Sequence, residues 1–396
     1  MTSEPVRIEV DALYRLVAQV SFFAFFAFGP VWKFLETMFG FPRINVSVLY
    51  LLCVALLLSL IACKAAFRTR DLKGKPLFIA VLILLMWVLL IQIVQFSSLL
   101  QHVDVWTLSK YFSNTGVAPV LLVMLGKWYA DQSSGVAATV RASWVFSTTI
   151  YVFSYVYIGQ DFHKNIVEAS IYLTLSDCYA IVALLALVSV RRRAHFVALF
   201  VISFWVLFFL NSRFSFLAFV LACVAVMFVR NKVAAVCVFL LSTMLLLILG
   251  PWLVDLLGSD HRMVRLFLFE NDSSLSGRME LLQQEWEFLS GNWALGRYMY
   301  DVVATGVTGN YAHNYLSFLS AYGVGPALGL IGIIVAGLMS GVFGAIRQHH
   351  VQTVLAVSFF CLFGIVAARS YLYPYIWFAL AALASLPLPA THSKAF

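Results

Sequence analysis

Apolar runs of about twenty residues recur from one end of this chain to the other, separated by short polar segments. As a helix rising ~1.5 Å per residue, each run can cross the ~30 Å hydrocarbon layer of a bilayer. Backbone groups in that layer must be satisfied internally, so only helices and closed barrels are permitted there. A barrel needs ~10-residue segments that alternate apolar and polar, and the sequence lacks that pattern. Composition agrees: 62% of the residues are hydrophobic and 11% are charged, against ~25% charged in a soluble domain. The expected fold is an all-α polytopic membrane protein, with residues 1–396 forming one integral membrane domain.

Basic residues orient the spans. Lys64, Arg68, Arg70, Lys73 and Lys75 make the most basic short loop, which the positive-inside rule places in the cytoplasm. Alternation then predicts about twelve membrane helices with both termini cytoplasmic. They cover residues 13–35, 46–63, 76–96, 115–129, 142–158, 171–190, 194–210, the stretch between Arg213 and Arg230, 233–249, 322–346, 351–369 and 371–388. Lys127 with Arg141, the run Arg191 to Arg193, Arg230 with Lys232, and Arg347 with His349 and His350 all then fall inside. The net charge of +8 is explained by these loops, and no nucleic-acid partner is expected. The first apolar run has no small-residue cleavage site and reads as a retained helix, with a kink at Gly29-Pro30.

Residues 250–314 are the longest polar interruption and fall on the outer side. Ser276 is suited to cap a helix continuing through Leu289. Leu281, Leu282, Trp286 and Leu289 then share one face, and Glu280, Gln283, Gln284 and Glu287 the other. Gly291 ends it. Trp286, Phe288, Trp293, Tyr298, Tyr300, Tyr311 and Tyr315 suit the headgroup layer. The segment reads as a lid lying on the membrane.

Few residues are equipped for chemistry. Arg213 has apolar sequence on both sides, in WVLFFLNSRFSFLAFVL. An arginine at membrane depth costs ~2.5–3.5 kcal/mol or more. It reads either as a residue snorkelling from a tight interhelical turn or as a cation for an anionic lipid headgroup. Arg278, heading the lid helix, opposes the helix dipole; it is either solvated or facing a bound phosphate. His313, where the lid meets the next helix, is a packed residue or a general base. Arg262 and Arg265 belong to the same basic mouth or contact acidic headgroups. Asp177, in TLSDCYAIV, reads either as one half of a buried hydrogen-bonded pair between helices or as a further candidate for the chemistry. Cys53, Cys63, Cys178, Cys223, Cys237 and Cys361 show neither CxxC nor Cys/His spacing, so no disulfide or zinc site is expected. HExxH, Walker A and GxGxxG motifs are absent from the sequence, and no metal or other cofactor is expected.

Three short stretches resemble motifs of the O-antigen ligase and O-antigen polymerase superfamily of bacterial inner-membrane glycosyltransferases. Asn211-Ser212-Arg213 with Phe-Ser-Phe-Leu resembles its Ser-Arg motif at a helix end. Ser276-Gly277-Arg278 with Met-Glu-Leu-Leu and Trp286 resembles the start of its large periplasmic loop. His313-Asn314-Tyr315-Leu316, with Gly323 downstream, resembles the motif closing that loop. The chain departs from the pattern at Phe214, where members carry a small residue. Asn292-Trp-Ala-Leu-Gly296-Arg297 stands where they often carry Pro-x-x-Gly-x-Gly. The resemblance implies a GT-C-like inner-membrane protein whose periplasmic loop contains amphipathic helices. It implies glycan transfer from undecaprenyl pyrophosphate, in a ligase to a sugar hydroxyl of lipid A–core and in a polymerase to another lipid-linked repeat. Arg213 and Arg278, with Arg265 as a third, would hold the pyrophosphate, and His313 would act on the acceptor hydroxyl, without metal and with inversion. One dominant outer loop favours ligase over polymerase. A transporter, expected to show related halves, is the reading from another class.

Overall fold

The computed structural model describes the chain apart from residues 1–3, 68–75, 132–134, 160, 191, 231, 234, 237–238, 241, 245–246, 249–262, 264–272, 308, 346–348 and 387–396. Every regular element among the described residues is helical. Five stretches are long and apolar enough to cross a membrane: Glu9–Phe39, Pro76–Leu99, Val136–Ile158, Tyr172–Ser189 and His350–Ala367. Five further apolar helices, among them Val46–Ala62 and Tyr375–Ala384, have 10–17 described residues. These ten helices stand where the sequence predicts about twelve spans, and residues 233–249 are described only in part.

The first stretch contains α1 (Glu4–Phe23), a π-helical turn (Ala24–Phe28) and α2 (Gly29–Phe39). Pro30 has no N–H to give, and its ring presses on the carbonyl four residues back. One extra residue in the preceding turn accommodates it: the Gly29 N–H reaches the Ala24 carbonyl, five residues back. The chain therefore stays helical through the expected kink, with the π-turn as the local distortion that Pro30 imposes. Helix α3 (Val46–Phe67) and α4 (Pro76–Leu99) follow. Then α5 (Val105–Phe112), capped by Asp104 accepting from the Thr107 N–H at 2.9 Å, runs through a second π-turn (Ser113–Val117) into α6 (Ala118–Ala130). Pro119 is the cause again. This helix begins ten residues before the expected start at Thr115. Ser113, Asn114 and Gly116 read as a boundary because they are weak helix formers. The turn holds because Gln92 of α4 donates to the Thr115 carbonyl at 3.1 Å.

The remaining elements are α7 (Val136–Ile158), α8 (Asp161–Glu168), α9 (Tyr172–Ser189), α10 (Arg193–Phe209), α11 (Arg213–Arg230), α12 (Ser273–Asn292), α13 (Tyr300–Thr305), α14 (Tyr315–Tyr322), α15 (Val324–Ala345), α16 (His349–Ala367) and α17 (Tyr375–Ala384). Two of them form the centre. Helix α9 is buried without interruption from Leu175 to Val188, between α7, α10, α11 and α16. Helix α17 is buried from Tyr375 to Ala384, chiefly against α6. A helix apolar on every side belongs in such a core. By contrast α4 leaves Ile83, Met86, Leu90, Ile93 and Val94 exposed, a stripe suited to lipid. At one end of the bundle His350 meets the Ala130 carbonyl at 3.0 Å. At the other, Lys33, Lys110, Ser170, His313 and Arg369 converge. The sequence places the first two residues inside and the latter five outside.

The expected helix from Tyr322 to Ile346 is α15, within about two residues at its start, and a short helix precedes it. Helix α14 comes first, capped by the Asn314 side chain accepting from the Leu316 N–H at 2.9 Å, and Gly323 (φ +78°) separates it from α15. Gly323 lies backbone to backbone against Gly296 (φ +65°). A Cβ on Gly323 would sit 2.4 Å from the Ala294 carbonyl oxygen, and one on Gly296 would sit 2.4 Å from the Gly323 nitrogen. Hydrogen bonds from Val324 to Trp293 (3.0 Å) and from Arg297 to Ser320 (2.7 Å) lock the pair. Alanine at either glycine adds about 1–2 kcal/mol of left-handed strain and about 1–3 kcal/mol of overpacking. Each variant is expected to show a clearly lowered thermal midpoint in detergent; a wild-type midpoint would contradict the packing.

Candidate functional site

The buried centre of the site is an ion pair. Asp177 of α9 meets Arg369, two residues past the end of α16, through two parallel bonds of 2.7 Å from Nε and Nη2. Side-chain exposures of 3% and 8% put the pair out of water, where such a charge survives only if partnered. Ser215 donates to Asp177 at 2.6 Å and accepts from Arg369 Nη2 at 3.0 Å. Ser212 lies 2.7 Å from Ser215, and the guanidinium stands 4.8 Å from the centre of the Phe214 ring. Asn211, at φ +61°, turns α10 into α11 and aims this group inward. Within Asn211–Ser215 it is therefore Ser212, Phe214 and Ser215 that gather around a different arginine. Arg213 itself is half-buried at the head of α11 and lines neither of the two cavities described next.

One cavity of about 420 Å³ is lined by Tyr172, Arg278, Glu280, Gln284, Asn310 and His313, among others. A second, of about 640 Å³, lies between Phe25, Pro30, Val46 and Tyr50, with both π-turns in its wall and Lys33 and Lys110 beside them. Leu173, His313, Ala368 and Arg369 line both, so the cavities meet at His313 and Arg369.

His313 sits in the loop between α13 and α14, half-buried. Burial, followed by the nearby Arg278 and Arg369 guanidinium groups, pushes its pKa down to about 4. The imidazole is therefore neutral, and able to accept a proton, at physiological pH. Arg278 reaches the site from the second turn of α12, because that helix starts at Ser273 and not after a Ser276 cap. Its conflict with the dipole is correspondingly smaller. Arg262 and Arg265 lie outside the described residues.

The lid helix faces inward differently from the expectation. Trp286 is 58% exposed, whereas Glu285 and Leu289 are buried. Glu285 accepts the Ala312 N–H at 3.0 Å and the Tyr300 hydroxyl. Asp301 accepts the Tyr111 and Tyr371 hydroxyls at 3.1 and 2.9 Å. Burial raises both carboxyl pKa values above the ordinary range, against the pull of these hydrogen bonds. Tyr298 and Tyr300 are buried as well, their rings packed inside the protein. The sequence reading thus missed Arg369, Glu285 and Asp301. Glu285 did leave a signal, lying four residues from both Leu281 and Leu289 on the buried stripe.

Among the described residues no three His, Cys, Asp or Glu side chains are grouped to hold a metal. Cys53, Cys178, Cys223 and Cys361 are buried free thiols. No protein-family model matches the chain, and no curated protein matches it.

Proposed function

We propose that the protein is an O-antigen ligase, transferring glycan from undecaprenyl pyrophosphate to a sugar hydroxyl of lipid A–core at the periplasmic face of a bacterial inner membrane. The observation that carries this reading is the neutral His313 at the junction of two cavities, with a guanidinium from the lid and another from the bundle in electrostatic reach. Two lipid-anchored substrates need two approaches to one reacting point. The larger cavity, with Phe25, Pro30, Val46 and Tyr50 in its wall and Lys33 and Lys110 beside them, suits the polyprenyl donor. The smaller, with Glu280, Gln284, Asn310 and Tyr172, suits the hydroxyls of an acceptor sugar, and Arg278 in its wall acts at the junction, in electrostatic reach of His313.

In this mechanism His313 takes the proton of the acceptor hydroxyl as its oxygen attacks the anomeric carbon. The bond from that carbon to the pyrophosphate oxygen breaks, its electron pair leaves with undecaprenyl pyrophosphate, and the anomeric centre inverts. Arg278 supplies net positive charge to the leaving group. Arg369 is neutralised by Asp177, but of its five N–H groups four are engaged by the described residues, and the fifth is the one to direct at a phosphate oxygen. Donors aimed where charge develops lower the barrier most. Arg369 takes the inner position that the sequence reading gives to Arg213.

The twelve-span, GT-C-like frame with cytoplasmic termini is part of the same proposal. Purified protein, donor and lipid A–core incubated with EDTA and without nucleotide should yield glycan on lipid A–core. Longer lipid-linked glycan, with lipid A–core untouched, would make the protein a polymerase. No change in either lipid would refute both. Arg278→Ala is expected to raise the donor KM about tenfold or more, since a charge-assisted bond contributes about 1.5–3 kcal/mol; an unchanged donor KM would remove Arg278 from phosphate binding.

A further inference from the structure

We infer that Glu285 is a positioning residue: from the lid helix it holds the His313 loop at the junction of the two cavities, at a fixed spacing from Arg278. The inference rests on the glycosyltransferase reading for its kinetic consequence, but not for its geometry.

Arg278 and Glu285 are seven residues apart on α12. Two helical turns bring them back to within about 20° of the same face. The first reaches the smaller cavity. The second is 1% exposed and accepts the N–H of Ala312, the residue before His313. The Tyr300 hydroxyl donates to the same carboxylate oxygen, and the Tyr300 ring stacks on Phe288 of α12 at 4.4 Å. Helix α12 thus grips the start of α13, through Tyr300, and the loop that follows it, through Ala312.

The grip extends to the other cation. Asp301, next to Tyr300, accepts the hydroxyl of Tyr371, and the Tyr371 N–H donates to Ser317 Oγ at 3.0 Å. Tyr371 is two residues after Arg369. A path of hydrogen bonds, joined by the covalent link between Tyr300 and Asp301, therefore runs from Glu285 on the lid helix to Tyr371 and the segment carrying Arg369. The partners of Glu285 are hydroxyls and an amide, and among the described residues it forms no ion pair. A buried carboxyl is costly where an apolar side chain would pack as well. What this carboxyl adds is a fixed acceptor for the backbone beside His313.

The full-length protein would be prepared with Glu285→Gln and Glu285→Leu, and its melting checked in detergent. Glutamine keeps an acceptor oxygen, so Glu285→Gln should transfer glycan within about threefold of wild type. Leucine frees the loop and should lower kcat about 30- to 100-fold, the scale of a 1 Å misplacement, with donor KM nearly unchanged. A second readout needs no turnover: the rate of diethyl pyrocarbonate modification at His313, resolved by mass spectrometry, should rise severalfold in Glu285→Leu and stay at the wild-type value in Glu285→Gln. If Glu285→Leu fails to fold, Ala312→Pro, which removes the donated N–H and leaves Glu285 in place, should give the same two changes. Unchanged His313 reactivity in the folded leucine or proline variant overturns the inference, as does a glutamine variant as impaired as the leucine one. If the wild type transfers no glycan, the functional reading falls while the reactivity comparison still decides the role of Glu285.

Discussion

Replacing His313 with alanine is expected to lower glycan transfer about 10²- to 10⁴-fold, the range for loss of a positioned general base. The protein should still melt cooperatively, since the side chain is only half-buried. The pH profile gives the sharper test. A histidine acting as base works in its neutral form, so activity falls as pH drops through its pKa. In the free protein that pKa is held at about 4, by burial and then by Arg278 and Arg369, against about 6.5 for an ordinary histidine. The acid limb of kcat/KM, which reports the free enzyme, should therefore lie far below pH 6. Bound pyrophosphate brings negative charge between the same guanidinium groups and offsets their repulsion. The limb of kcat, which reports the complex, should therefore lie at higher pH than that of kcat/KM. A kcat/KM limb near pH 6.5 that vanishes in His313→Ala would keep the base but reject its described surroundings. A His313→Ala enzyme with wild-type rates at neutral pH would reject the base itself.

Much of the frame was legible because it follows from single-residue chemistry. Apolar runs gave α9 and α10 to within about two residues at each end, and the basic loops sorted helix ends into the two groups that meet at opposite ends of the bundle. One boundary was misread for a physical reason. Ser113-Asn114-Thr115-Gly116 looked like a helix boundary because propensity is local, and the π-turn that carries the chain through it is held by Gln92, distant in sequence. The candidate site was legible at His313 and Arg278, which stand out in a polar segment. Arg369 did not stand out, since a lone arginine closing an apolar run looks like a span boundary. Its role depends on Asp177, and 192 positions separate the two. Phe214 was visible only as a departure from a motif, and its ring proves to face the Arg369 guanidinium.

Asp177→Leu and Arg369→Leu are each expected to destabilise the protein by about 3–5 kcal/mol, because each leaves one uncompensated charge buried. The double variant should recover most of that loss, since a well-packed apolar pair of similar volume is often neutral or better than a buried ion pair. Thermal midpoints in detergent would show the two losses failing to add, the mark of a direct interaction. Transfer activity then separates the two roles open to Arg369. If its remaining N–H serves the leaving group, the double variant should be folded yet strongly impaired, by about tenfold or more for one charge-assisted bond. Arg369→Lys should be impaired as well, because an ammonium cannot keep two bonds to Asp177 and reach a phosphate with the same fork. If the pair serves only to join α9 to the end of α16, the double variant should regain activity together with its midpoint, and the inner cation of the site would have to be sought elsewhere, with Arg213 the first to test. The geometry favours the first outcome: Arg369 lines both cavities, at the one place where they share a wall with His313.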